Sequence, residues 1–250
     1  MSANLMSLAR SGGKFLKLYG DRKMMKPLPY DAEVEWLVFN DANVDLPVEF
    51  SNESSESILI DVRVSMFKGE LRSGVIFAIA PGTHYAQGAL RLRTNSKSFT
   101  IDPFTSGSGY TATLNVAEMP EDYPVELRYL KDDTTKQSCV INDVIVESAP
   151  VASDGHVTYE GYTPILGGVK YKNSSGNIAY NGLCFGRIRS FYLKNLRTGK
   201  AVDLIPVRKG QDGYFYDRIS GKMLDGRDPY QDDGSIPTGT TFFLGPDKTI

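Results

Sequence analysis

Apolar residues along this chain recur mostly at every second position, in short runs cut by glycine, proline, asparagine and serine. Side chains of an extended strand point alternately to its two faces, so this rhythm marks strands with one buried face. Residues 57–67 show it best, with Ile60, Val62, Val64 and Met66 on one side and Asp61, Arg63 and Ser65 on the other. Residues 110–116 repeat it, with Tyr110, Ala112, Leu114 and Val116 on one side. Residues 74–80 are apolar almost throughout, as a strand covered on both faces is. Further strands are expected at 32–39, 46–50, 89–93, 98–101, 125–130, 156–160 and 164–166. Residues 139–146 form another, broken by a turn at Asn142-Asp143, since both residue types accept a left-handed backbone. No amphipathic stretch of helical period exceeds about ten residues. Many short strands between turn residues predict an antiparallel sandwich or barrel.

The densest pattern lies between Gly186 and Asp217. Alternation over 187–194 places Ile188, Ser190 and Tyr192 on one face and Arg187, Arg189, Phe191 and Leu193 on the other. Arg197-Thr198-Gly199-Lys200 supplies a turn, and 201–207 is the return strand. Pro206 has no N–H for a ladder, so that strand is expected to lie at an edge or to stop there. Gly210-Gln211-Asp212-Gly213 makes a second turn, and a further strand starts at Tyr214.

These residues resemble the C-terminal signature of laminin-G-like, concanavalin A-like jelly-roll modules of gut bacteria and their phages. The matching pieces are Asp203-Leu204-Ile205-Pro206, then Tyr216-Asp217 with Ser220-Gly221-Lys222, then Thr241-Phe242-Phe243-Leu244-Gly245-Pro246. Residues 29–37, from Pro29 to Leu37, are similar to the family's first strand, whereas 39–47 depart from its Ser/Thr-Gly-Thr-x-Tyr-Ile-Asp-Thr run. The resemblance spans residues 28–247. It implies an all-β, two-sheet antiparallel jelly-roll sandwich, a module used in adhesins, virion proteins and enzyme accessory domains alike.

Composition adds one feature to this picture. The chain has 250 residues, 41% hydrophobic and 23% charged, enough for one large β domain with a sizeable core. A net charge of −2 excludes nucleic-acid binding by overall electrostatics. Residues 1–26, however, carry six basic residues and one acid, hence +5 against −7 for the rest. The expected organisation is therefore a basic N-terminal attachment arm, 1–26, and a jelly-roll domain, 27–250. Within the arm, 2–10 suit a short helix, capped by Ser2 and ended by Gly12-Gly13, followed by an extended segment. Leu5, Leu8, Arg10, Lys14, Phe15, Lys17 and Tyr19 are its docking candidates. No apolar run approaches the ~20 residues of a membrane span, and no secretory h-region is visible. Cys139 and Cys184 lie in apolar strand patterns and read as buried thiols.

Four constellations could carry chemistry. Asp31-Ala32-Glu33-Val34-Glu35 resembles the Glu-x-Asp-x-Glu strand of laminarinase-type hydrolases, with Glu33 and Glu35 about 7 Å apart on one face. Asp31 stands where that motif has its nucleophilic glutamate, and Trp36 is the only tryptophan, so no catalytic residue is assigned. Asp225, Asp228, Asp232 and Asp233 are an acidic loop that reads as a solvated turn, with calcium as the alternative. His84 and His156 lack metal-ligand spacing, so no metal or cofactor is expected. His84, Tyr85 and Tyr110 fall in or beside loops where a sugar-binding rim would lie. The expectation is a non-enzymatic virion-associated protein whose arm docks a lectin-like module onto other structural proteins of a particle, with a homo-oligomer and a glycan as further partners. The alternative is a glycan-binding lectin or adhesin at a bacterial cell surface; a glycoside hydrolase ranks third.

Overall fold

The computed structural model describes the backbone of 10–11 and 14–15 and, beyond the arm, residues 27–40, 42–50, 58–67, 74–80, 90–94, 99–102, 112–114, 124–133, 136–150, 164–172, 175, 178–181, 185–226 and 242–249. These residues are all-β, as expected. The strands begin with β1 (Arg10–Ser11), β2 (Lys14–Phe15), β3 (Ala32–Glu33), β4 (Leu37–Asn40), β5 (Val44–Asp45), β6 (Ile60–Phe67) and β7 (Gly74–Ile79). Next come β8 (Leu90–Thr94), β9 (Phe99–Asp102), β10 (Ala112–Leu114), β11 (Pro124–Lys131), β12 (Lys136–Ile141) and β13 (Val144–Pro150). The last are β14 (Ile165–Leu166), β15 (Val169–Lys172), β16 (Ile178–Asn181), β17 (Phe185–Asn195), β18 (Ala201–Lys209), β19 (Asp212–Asp217), β20 (Met223–Leu224) and β21 (Phe243–Leu244).

Two antiparallel sheets pack face to face. The principal sheet runs β13-β12-β11-β6-β17-β18-β19-β20, with β4 beside β17, β21 beside β4 and β3 beside β18. The second runs β10-β9-β8-β7-β14-β5. The core between them joins Val62, Val64 and Met66 of β6, Phe191 and Leu193 of β17, and Phe77 and Ile79 of β7. Phe77 and Phe191 meet ring to ring across the gap, 5.5 Å between centroids. β7 is buried at every position, as its unbroken apolar run predicts, because Val75 and Ala78 face a separate cluster with Ile165 and Val169.

Several expectations need correction. Where the helix was expected to include Arg10, Arg10–Ser11 instead pairs antiparallel with Lys14–Phe15; residues 1–9, 12 and 13 lie outside the described residues. The strand expected at 32–39 is two pieces, with Val34 between them bridging Asp247. The strand expected at 46–50 lies earlier, at Val44–Asp45, although Leu46, Val48 and Phe50 are still buried. Tyr110, Val116 and the 156–160 strand lie outside the described residues.

The two faces of β17 also differ from strict alternation. Between Ile188 and Ser190 the register against β6 shifts by one residue, leaving Arg189 extra. A bulge of this kind resets the phase, so Ile188, Phe191 and Leu193 all point into the core. β18 does not stop at Pro206: it is an inner strand, paired with β19 on one side. On its other side the neighbour changes from β17, up to Leu204, to β3, from Val207. Pro206 stands at that changeover, where a ladder N–H is not needed, and its carbonyl accepts from the Val34 N–H.

The hairpin β12–β13 turns where expected, at Asn142 and Asp143, both with positive φ. The Asn142 side chain accepts from the Glu126 N–H at 3.0 Å, tying this turn to β11. The connections after β17 and after β19 are twins: Asn195-Leu196-Arg197-Thr198-Gly199-Lys200 and Asp217-Arg218-Ile219-Ser220-Gly221-Lys222. In each, the first side chain accepts two following N–H groups, Arg197 and Thr198 in one, Ile219 and Ser220 in the other. In each, the glycine has positive φ and donates to the carbonyl of the first residue. Buried Asp217 also accepts from the Asp203 N–H, joining its turn to β18.

Substitutions at two positions measure these constraints. Asp217→Ala strands three N–H groups and is expected to cost about 2–3 kcal/mol, whereas Asp217→Asn, the chemistry of the twin turn, costs about 1 kcal/mol or less. Gly167 has φ +95° and lies against the Ala42 carbonyl and the Phe39 ring, so Gly167→Ala is expected to cost at least ~2 kcal/mol. Urea midpoints at constant slope read both.

Candidate functional site

The outer face of the principal sheet is divided. Over β18 and β19 it is closed: Ile205, Val207, Tyr214 and Tyr216 are capped by Tyr30, whose ring meets Tyr216 edge-on at 5.0 Å. Over β6, β11 and β17 it is polar and open, and its order follows from register. Arg187 stands opposite Phe67, Ser190 opposite Ser65, Tyr192 opposite Arg63 and Lys194 opposite Asp61. Glu126 stands opposite Ser65 and Arg128 opposite Arg63 on the other flank.

At one end of this face Asp61 is nearly buried, 4% exposed, yet charged. Two guanidinium forks hold it: Arg63 at 3.2 and 2.6 Å, and Arg128 at 3.0 Å through both nitrogens. Burial works to raise the pKa of this carboxyl, but the hydrogen bonds from Arg63 and Arg128, with their charges, outweigh it and hold it below the usual aspartate value. Arg63 also lies over the Tyr192 ring, 5.1 Å from its centroid. Ser65 donates to Glu126 in the next row.

At the other end lies an aromatic and arginine cluster. Trp36 precedes β4, and its ring meets Phe67 edge-on at 5.2 Å. Arg187 lies over both rings, 5.4 Å from the Trp36 centroid and 5.3 Å from that of Phe67. The bulge brings Arg189 to 5.7 Å from the same Phe67 ring. Glu35 reaches Arg189 at 3.7 Å. Behind Trp36, Gly245 rests so close to the indole that any Cβ there would come within 2.9 Å of it. The indole is thus set by the main chain and held half-buried, a rigid part of the surface.

The candidates from sequence fare unequally. His84, Tyr85 and Tyr110 lie outside the described residues, as do Leu5, Leu8, Lys17 and Tyr19 of the arm; for Arg10, Lys14 and Phe15 only the strand backbone is described. Cys139 is buried, and Cys184 lies outside the described residues. Glu33 and Glu35 do not act as a pair on one strand. β3 ends at Glu33, which takes Lys248 at 3.3 Å and the Tyr30 hydroxyl at 3.5 Å, while Glu35 turns to Arg189. Asp31 accepts from the Gly210 N–H and so caps a turn. Of the acidic loop only Asp225 is described, and no metal-holding cluster occurs among the described residues.

Sequence reasoning passed over Trp36, Phe67 and Arg187, although a signal was there. Phe67 falls in the row of Asp61, Arg63 and Ser65, where alternation calls for a polar residue.

No family model matches the chain, and no curated protein does. Among solved structures it is similar to the CBM40 module of the Ruminococcus gnavus IT-sialidase, bound to α2,3-sialyllactose, at 14% identity and a TM-score of 0.41. That match covers 63% of this chain and 87% of the other. A second structure of the same module matches at the same identity and TM-score, covering 88% of that chain.

The Asp61 geometry fixes a pH dependence. A carboxyl whose folded pKa lies below its unfolded value stabilises the fold above about pH 4 and loses that contribution as pH falls through the lowered value. Asp61→Asn is therefore expected to be less stable than wild type at pH 7, with the gap narrowing below about pH 4. Urea unfolding across that range measures it.

Proposed function

We propose that this protein is a non-catalytic glycan-binding module of the concanavalin A-like jelly-roll kind, and that the open outer face of the principal sheet receives the sugar. One observation carries the reading. Three half-buried aromatic side chains, Trp36, Phe67 and Tyr192, share that face, and each is braced by a guanidinium. Aromatic surfaces take the apolar faces of sugar rings, and fixed polar groups between them select hydroxyl positions. Here the polar groups are locked in place: Ser65 by Glu126, and Arg63 and Arg128 by Asp61. A rigid set of partners loses little entropy on binding. The carboxylates that could have served a hydrolase, Glu33 and Glu35, are engaged by separate cations.

A second reading is favoured by the charge division between 1–26 and the rest of the chain. In it the arm fixes the same module to the surface of a phage-like particle. Deleting residues 1–26 then abolishes incorporation and leaves glycan binding intact; incorporation of the truncated chain would end this reading.

Binding of the full chain to an array of immobilised glycans tests the main one. Trp36→Ala and, as a variant away from the packed indole, Tyr192→Ala are each expected to weaken the best glycan at least about 10-fold. If no glycan is retained, or if both folded variants bind like wild type, the face is not a glycan site.

A further inference from the structure

We propose that the glycan is acidic, and that its carboxylate is received by Arg187 and Arg189 at the Trp36–Phe67 end of the face. The inference rests on the glycan-binding reading and names the ligand class of that site. It begins from a contrast among the arginines. Arg63 and Arg128 share Asp61, Arg208 forks onto Asp247 at 2.6 and 2.7 Å, and Arg218 forks onto Asp203 at 3.0 and 2.9 Å. Arg187 has no such partner among the described residues. Its contacts are the rings of Trp36 and Phe67.

A guanidinium lodged against two rings has given up part of its hydration. Cation–π attraction offsets part of that loss. Its five donors form a fixed fork that takes no carboxylate among the described residues, in the geometry that matches a ligand carboxylate with two parallel hydrogen bonds. Contact with two rings also restrains the fork, so little freedom is lost when an acceptor arrives.

The bulge supplies the second cation. Bulges re-aim side chains, and this one exists because Arg189 is an extra residue against β6. It sets the Arg189 guanidinium over the same Phe67 ring that Arg187 uses. Two like charges on one ring repel each other. The nearby acid, Glu35, touches Arg189 alone and at 3.7 Å, too long for a tight fork. The three groups carry a net charge of +1, and a ligand carboxylate between the guanidiniums neutralises it. The sugar ring attached to that carboxylate then lies along the aromatic and polar rows of the open face.

The test is titration of the full chain with a panel of uronate-bearing oligosaccharides, each beside its carboxyl-reduced counterpart. The acidic form is expected to bind at least about 10-fold tighter, with the difference shrinking as salt rises from about 0.05 to 0.5 M. Arg187→Gln is expected to erase the difference, and Arg187→Lys to restore part of it. Equal binding of acidic and reduced forms overturns the acidic preference and leaves the glycan reading standing. Failure of both forms to bind overturns the two together. Polyglutamate binding as tightly as the uronates also overturns the inference, since charge alone would then suffice. Should Arg187→Gln not fold, Arg189→Gln and the wild-type comparison of the paired sugars decide the matter.

Discussion

β6 and β17 lie side by side over eight paired positions, and the rest of the principal sheet is hung from that ladder. On one flank β11 reads its register from β6; on the other, β4 and then β18 read theirs from β17. Slipping one strand by a residue would turn Val62, Val64 and Met66 toward water and bury Arg63 instead. Burying a large aliphatic side chain contributes about 1.5–3 kcal/mol, so three such losses alone would exceed half the stability of an ordinary domain. The register is therefore set by the core, and the order of groups on the outer face follows from it without further cost.

That outer face carries two solutions to the problem of arginine beside a sheet. At the Asp61 end the charges are matched internally and the forks are short. At the Trp36 end aromatic rings take the place of carboxylates, and a bulge crowds a second guanidinium onto them. The first arrangement is stable by itself and sensitive to acid. The second is held by packing and leaves hydrogen-bonding capacity at the surface.

Much of the fold was legible because it rests on period two. Ile60, Val62, Val64 and Met66 face inward as their spacing predicts, and Asn142-Asp143 turns as its residue types predict. What escaped was what breaks the period. Arg189 is indistinguishable in sequence from an ordinary strand residue, so the shared face of Ile188 and Phe191 was missed. Pro206 suggested an edge because its tolerated place, a changeover between neighbouring strands, depends on partners far away in sequence. The candidate site was obscured for a related reason. The loop residues expected to hold sugar contacts lie outside the described residues, and Trp36, Phe67 and Arg187 come together by cross-strand register, to which single-strand alternation is blind. The twin turns after β17 and β19 were visible as residues, but only their shared hydrogen bonds show that asparagine and aspartate do one job there.

The closing contacts of the sheet join the two ends of the described domain. Leu37 and Val38 pair with Leu244 and Phe243, and Glu33 meets Lys248 across 215 positions of sequence. Such contacts raise the contact order, and their loop-closure entropy is met only after nearer pairings are in place. On a ribosome, which releases the chain from its N-terminus, β4 is made early and waits for two partners that emerge late. The indole of Trp36 waits with it until Gly245 arrives to seat it. The geometry of the open face is thus complete only once β21 and Gly245 have been made, so the surface is finished later than the core beneath it.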